Sequence, residues 1–219
     1  AFALVAGVKP LRDQVVLVHG LWDSPKSLQR LGRGLAQRCQ RPCHYATLQP
    51  ASGRAPIPQL AAQLETQLSA FARIDVVAFS MGALVTRYAI TRGQSGARIR
   101  RFISISAPHA GSHMASLLPG AGLRDMRPGS ALLRDLAAQG EHWGAVEVHT
   151  VWTPLDLSIL PARSSQLAVA RSDRAFWLPL HRLMVWSPSV TQHVAALLQA
   201  APRKQAKEAK QDTPVPEAT

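Results

Sequence analysis

Residues 74–87 read IDVVAFSMGALVTR, and Ser80 near their centre is the side chain whose setting most suggests nucleophilic chemistry. The run 75–79 reads as a buried parallel strand. A helical pattern through Ala83, Leu84, Val85 and Tyr88 follows at once. A strand that becomes a helix at a serine, with small residues two before and two after it, meets the steric demand of a nucleophile elbow. Here the small residues are Ala78 and Gly82, so the pattern is A-x-S-x-G where G-x-S-x-G is usual. The competing reading is a serine at an ordinary helix N-cap.

A serine hydroxyl becomes a useful nucleophile when a base takes its proton, and the base must be held by an acid. After a turn of this kind the acid and then the base follow in the chain. Asp125, Asp135, Asp156 and Asp173 come after Ser80, and only Asp156 lies in a loop just past a convincing strand. His181 sits between the last strand and the last helix, the place for the base. His193 falls inside that helix and His149 inside a strand, while His109 and His113 come too early. A developing oxyanion needs donors. The N–H of Met81 stands at a helix N-terminus, and the N–H of Leu21 follows the His19-Gly20 end of the first strand. One such donor is worth about 2.7–4 kcal/mol. His19 reads as a brace for its loop. Trp22, Leu155 and Leu157 are weak pocket residues that favour an acyl chain over a peptide.

Elements that would position these groups are legible. Residues 14–19 form an unbroken apolar strand. Asp23-Ser24-Pro25 is expected to cap a helix that runs to about Arg38. A strand is expected over 43–48 and a helix over 59–71, with Leu60, Leu64, Leu68 and Phe71 on one face. Further strands are expected at 102–106, 146–152 and 175–178, and a last helix over 189–199. About forty residues with small helices separate the 102–106 strand from the 146–152 strand, too few for a large lid domain. Alternating strands and helices predict an α/β fold, a minimal sheet of roughly six mostly parallel strands with helices on both faces. The site then belongs at the carboxyl ends of the strands. Residues 1–200 read as one domain, and the basic, proline-containing 201–219 as a disordered tail.

The 219 residues carry a net charge of +12, with 47% hydrophobic and 17% charged residues. That composition is globular, and no apolar run reaches the ~20 residues of a membrane-spanning helix. The basic residues are mostly scattered arginines without interleaved aromatics, which argues against nucleic-acid binding. They leave room for peripheral contact with an anionic membrane surface. Cys39 and Cys43 lack a second pair, so a structural zinc is not expected, and the two are either a local disulfide or reduced thiols. No obligate protein partner is evident. The compartment stays open: cytoplasmic or membrane-peripheral is favoured, and secreted if the N-terminus is a processed stump.

Six blocks together carry a resemblance: VVLVHGLWD (15–23), DVVAFSMGALVTRYAI (75–90), RRFISISAPHAGS (100–112), DMRPGSALLRDL (125–136), VWTPLDLSILPARSS (151–165) and LHRLMVWSPSV (180–190). In this order they resemble the lipase class 2 branch of the α/β-hydrolase superfamily, small bacterial triacylglycerol lipases and lipid-anchor deacylases. The resemblance implies Ser80 as nucleophile, Asp156 as acid and His181 as base, acting on carboxylic esters of lipids with no organic cofactor. An acyltransferase or thioesterase could use the same triad. A non-catalytic binding protein on this scaffold is the reading from another class, and the intact triad argues against it.

Overall fold

The computed structural model describes residues 11–138 and 142–200; the expected tail, 201–219, lies outside them. Six strands form one sheet: β1 (Leu11–Val18), β2 (Cys43–Ala46), β3 (Phe71–Phe79), β4 (Ile99–Ile105), β5 (Glu147–Trp152) and β6 (Ser172–Ala175). Their order is β2-β1-β3-β4-β5-β6, and every neighbouring pair is parallel. The expected mostly parallel sheet is therefore wholly parallel among the described residues.

The strands are apolar on both faces because both faces are covered. Val16, Val18, Val76, Ala78 and Phe102 pack under α2 (Ile57–Leu68), α3 (Met81–Thr91), α4 (Ala121–Asp125) and α5 (Ala131–Ala138). Val15, Leu17, Val77, Phe79 and Ile103 pack under α1 (Gln29–Cys39), α6 (Leu183–Trp186) and α7 (Pro188–Gln199). Alternate residues of one strand thus feed opposite cores. This is a three-layer α/β-hydrolase fold in its minimal form.

Several element boundaries differ from expectation; β1 begins at Leu11 and β4 at Ile99, each three residues early, and β2 ends at Ala46. Helix α2 ends at Leu68, where the Ser69 N–H bonds the Glu65 carbonyl, and Phe71 opens β3. Ser24 gives no side-chain cap; a four-residue 3-10 turn, Pro25–Leu28, precedes α1, and Asp23 Oδ1 accepts the Ser24 N–H. The last strand lies three residues earlier than its apolar content suggested. Its polar side chains are paired across to β5: Ser172 with His149 at 2.7 Å, and Asp173 with Thr150 and, at 3.1 Å, with the Trp152 indole N–H. Cys39 and Cys43 are both free cysteines. Burial, and then the neighbouring Cys39, push the Cys43 thiol up to about 11, away from reactivity.

Candidate active site

Ser80 stands between β3 and α3 with φ 55° and ψ −129°, a strained conformation for a residue with a Cβ. Its N–H bonds the Ile105 carbonyl at 2.9 Å, and its own carbonyl accepts from the Ala83 N–H at 3.0 Å. The turn is locked from both sides. The two glycines beside it are dictated by contact. A Cβ on Gly82 would lie 2.2 Å from the His19 carbonyl oxygen and 2.9 Å from that of Val18; a Cβ on Gly20 would lie 2.8 Å from Ser80 Cβ. The end of β1 therefore touches the elbow backbone to backbone. Ala78 is fully buried in the same core as α3, which takes its methyl group.

The loop after β1 is held by the expected brace. His19 Nε2 accepts the Leu48 N–H at 3.1 Å, which places its proton on Nδ1, 3.1 Å from the Gly20 carbonyl. Burial lowers its pKa, outweighing the Gly20 carbonyl and Asp23, so the ring is neutral. One residue beyond Leu21, Trp22 takes φ 51° and its N–H bonds the Ala51 carbonyl at 2.7 Å. Met81 begins α3, so its N–H is among the first-turn donors that have no intrahelical acceptor.

Asp156 and His181 come together from different loops. Asp156 is 2% exposed and its Oδ2 lies 2.7 Å from His181 Nδ1. Its Oδ1 accepts the N–H groups of Ser158 at 2.9 Å and Ile159 at 3.0 Å, an Asx turn that fixes the carboxylate. The His181 ring packs on Phe79, the residue before Ser80, at a centroid distance of 4.6 Å. No hydrogen bond joins Ser80 to His181 among the described residues; in ligand-free sites this contact is often long. Trp22, Leu155 and Leu157 stand exposed on the rim, at 62%, 43% and 67%. A hollow of about 610 Å³ lies elsewhere, between α5, His109 and residues 166–169, and none of these three lines it.

His109, His149 and the rejected aspartates have structural partners. His109 is buried with Nε2 2.7 Å from Ser104 Oγ, and its carbonyl accepts from Arg87 at 2.7 Å. Burial, aided by the Arg87 charge, holds its pKa well below the usual imidazole range. Asp125 accepts the Ile57 N–H, and Asp135 pairs with Arg92. Three further side chains were not singled out from the sequence. Ser112 Oγ donates to the Ser158 carbonyl and accepts the Leu160 N–H, tying the β4 loop to the Asp156 loop. Thr153 Oγ1 donates to the Leu178 carbonyl at 2.7 Å, joining the Asp156 loop to the approach to His181. Arg182 pairs with Asp23 at 3.5 Å, joining His181's neighbour to the loop after β1. Lone hydroxyls and charges in loops carry no periodic signal, so only the S/T-rich composition of these loops could have hinted at them.

A turn serine, an imidazole fixed by a buried carboxylate and the free first-turn donors of α3 are the kinds of group that acyl transfer requires. The comparisons agree with that class. The family model described as palmitoyl protein thioesterase matches residues 14–155, more than half of the sequence, and the chain belongs to that family. The match covers Ser80 and ends one residue before Asp156, so the association of Asp156 with His181 rests on the geometry. No curated protein matches the sequence. Among solved structures, Aspergillus fumigatus lipase B is similar at 17% identity and TM-score 0.75, over 87% of this chain and 53% of that one. The mature Bacillus licheniformis lipase BlEst2 is similar at 17% identity and TM-score 0.69, over 89% and 95%. The product of the Listeria innocua gene lin2722 follows at 15% identity and TM-score 0.64, over 86% and 94%. This chain thus spans about half the length of the Aspergillus lipase. At these identities the likeness is one of fold: that of lipases in the α/β-hydrolase superfamily.

Proposed function

We propose that the chain is a serine hydrolase that cleaves carboxylic acyl esters, with lipid acyl groups as its substrate class. The observation that carries the reading is the buried Asp156 carboxylate 2.7 Å from His181 Nδ1, with the same ring packed on Phe79 beside the elbow. His181 Nε2 takes the Ser80 proton as Oγ attacks the acyl carbonyl. The oxyanion rests on the Leu21 and Met81 N–H groups. Collapse expels the alcohol, which leaves with the proton from His181. A water, deprotonated by His181, then attacks the acyl-serine; the carboxylic acid departs and Ser80 regains its proton. Asp156 holds the imidazole tautomer and stabilises the imidazolium throughout.

The family's description favours a second substrate for the same steps, an acyl thioester, whose thiolate is the better leaving group. A fluorophosphonate probe followed by mass-spectrometric mapping tests the nucleophile: a single adduct on Ser80 is expected, and labelling elsewhere, or none, sinks the mechanism. Matched oxygen esters and thioesters from C2 to C16 then rank the substrates. Specificity rising towards C16 supports lipid acyl groups, and a maximum at C2 overturns them.

A further inference from the structure

On the α3 side of the sheet lies the hollow of about 610 Å³, a volume ordinary for a small-molecule site. Its walls are mainly apolar: Leu133 and Leu136 of α5, Trp143, and Leu167 and Val169 on the approach to β6. The Trp143 ring is stacked on Phe102 of β4 with centroids 6.0 Å apart, which fixes that wall to the core. The charged side chains lining the hollow are Arg87 of α3 and Arg134 of α5, and no carboxylate lines it among the described residues. Arg87 lies seven residues beyond Ser80, about 10 Å along the helix axis, which sets this wall apart from the Ser80 turn.

His109 lines the same hollow and holds a buried polar atom that nothing meets. The residue is 4% exposed; its Nε2 lies 2.7 Å from Ser104 Oγ, and its Nδ1 has no hydrogen-bond partner. Ser104 is buried too, and His109 is the partner of its hydroxyl. A proton on Nε2 would leave both the Ser104 hydroxyl hydrogen and the Nδ1 lone pair unmet. With the Ser104 hydroxyl donating to Nε2, the Nδ1–H alone is left over, which is the cheaper arrangement. Arg87 Nη1 donates to the His109 carbonyl at 2.7 Å and brings a positive charge against the same residue. The wall of an apolar hollow thus carries a hydrogen-bond donor in a positive field.

We propose that this hollow is a binding site for a small monocarboxylic acid with an apolar body, distinct from the opening where Ser80 acts. The carboxylate accepts the His109 Nδ1–H within the field of Arg87 and Arg134, and the hydrocarbon lies against Leu133, Trp143 and Leu167. An alcohol of the same length meets the same walls but gains the weaker bond, and an ammonium is repelled. The bound acid rests on the loop after β4. That strand ends at the Ile105 carbonyl, which holds the Ser80 N–H, and the loop's Ser112 is tied to the Asp156 loop. The inference goes beyond the proposed hydrolysis and does not depend on it.

The test titrates octanoate, 1-octanol and octylamine by calorimetry into the full chain carrying Ser80→Ala, so that no turnover intervenes. Octanoate should bind as one molecule per chain, at least tenfold tighter than either of the other two. Ala168→Trp fills the hollow from an exposed lining position, and Arg134→Glu reverses a charge on its wall. Each should weaken octanoate about tenfold, while Arg134→Glu leaves octanol unchanged. In the chain with Ser80 intact, Ala168→Trp should leave hydrolysis of a short soluble ester unchanged. Equal binding of octanoate and octanol overturns the proposal. So does octanoate binding that survives both substitutions, which would place the acid elsewhere. A chain whose Ser80 carries a hexadecyl phosphonate must still bind octanoate, and loss of binding there assigns the acid to the Ser80 opening and overturns the site. Failure to form that adduct counts against the hydrolase reading, and the remaining titrations still decide the site. Should circular dichroism show Ala168→Trp misfolded, Ala137→Trp must reproduce the loss or the proposal falls.

Discussion

The two edges of the sheet are held together by different forces. Towards the amino ends, charge does the work. Asp75, fully buried, receives Arg100 through two nitrogens at 2.8 and 2.6 Å and Arg41 at 2.6 Å. Arg101, 1% exposed, reaches Glu147 and the carbonyls of Leu198 and Ala200 at the end of α7. Glu147 also takes His149 and Arg171. Towards the carboxyl ends, hydroxyls and backbone groups hold the loops, beside the contact of buried Asp156 with partly exposed His181. A crowd of charges near the base would compete for its proton and spread its field over the site. The fold keeps its densest ionic network where it fastens helix ends and holds the other edge mainly through hydroxyls and backbone groups.

The contrast can be broken from either side. Ser80→Ala should reduce ester hydrolysis by at least about 10⁴-fold without moving the unfolding midpoint. A variant with retained activity would remove the nucleophile. Asp156→Asn should cost about 10³–10⁴-fold in kcat, somewhat less than His181→Ala; an unaltered kcat would shift the acid to another loop. At the opposite edge, Asp75→Asn leaves three arginines facing a neutral amide. Breaking a buried pair of this kind costs about 3–5 kcal/mol. Urea denaturation should show that loss while the folded variant keeps its kcat. Ser112→Ala strands the Leu160 N–H and should destabilise by about 1–3 kcal/mol, with kcat falling because the Asp156 loop is loosened. If stability fell and kcat did not, Ser112 would be a fastener only.

The smallest effect is that of pH. Burial lowers the pKa of His19, His109, His149 and His193. The unfolded chain binds protons at these positions as pH falls through about 6.5, while the folded chain resists. Their contribution to stability is therefore whole above pH 6.5 and is lost progressively as pH falls below it. Melting temperatures measured from pH 8 to pH 5 should stay level and then decline. A level profile down to pH 5 would mean that these rings are not held neutral.

The strand-to-helix turn at Ser80 was legible because it packs a steric rule into five residues. Asp156 and His181 were legible because chain order and sheet edge leave few places for them. Phe71 was not. It buries on the same face as Leu68, so an apolar pattern cannot tell the last residue of a helix from the first of the next strand. Strand β6 was misplaced for the reverse reason: its polar residues are satisfied by β5, a pairing that local sequence does not contain. The Asp75 network and the Ser112 and Thr153 ties join residues 25 or more positions apart, beyond the reach of any periodicity.

The contact of Gly82 with the His19 carbonyl has a consequence for how the molecule can vary. The small residues flanking the serine are not equivalent: position 78 admits a methyl group, and position 82 admits nothing, because what it would strike is main chain that cannot turn aside. The Ser80 turn and the loop after β1 are thus meshed like two gears on fixed axles. Either can move only by carrying the other along. The spacing between the Ser80 turn and the main chain at the end of β1 is then set by backbone contact. The loops above can vary in side chain while the turn beneath keeps its alignment.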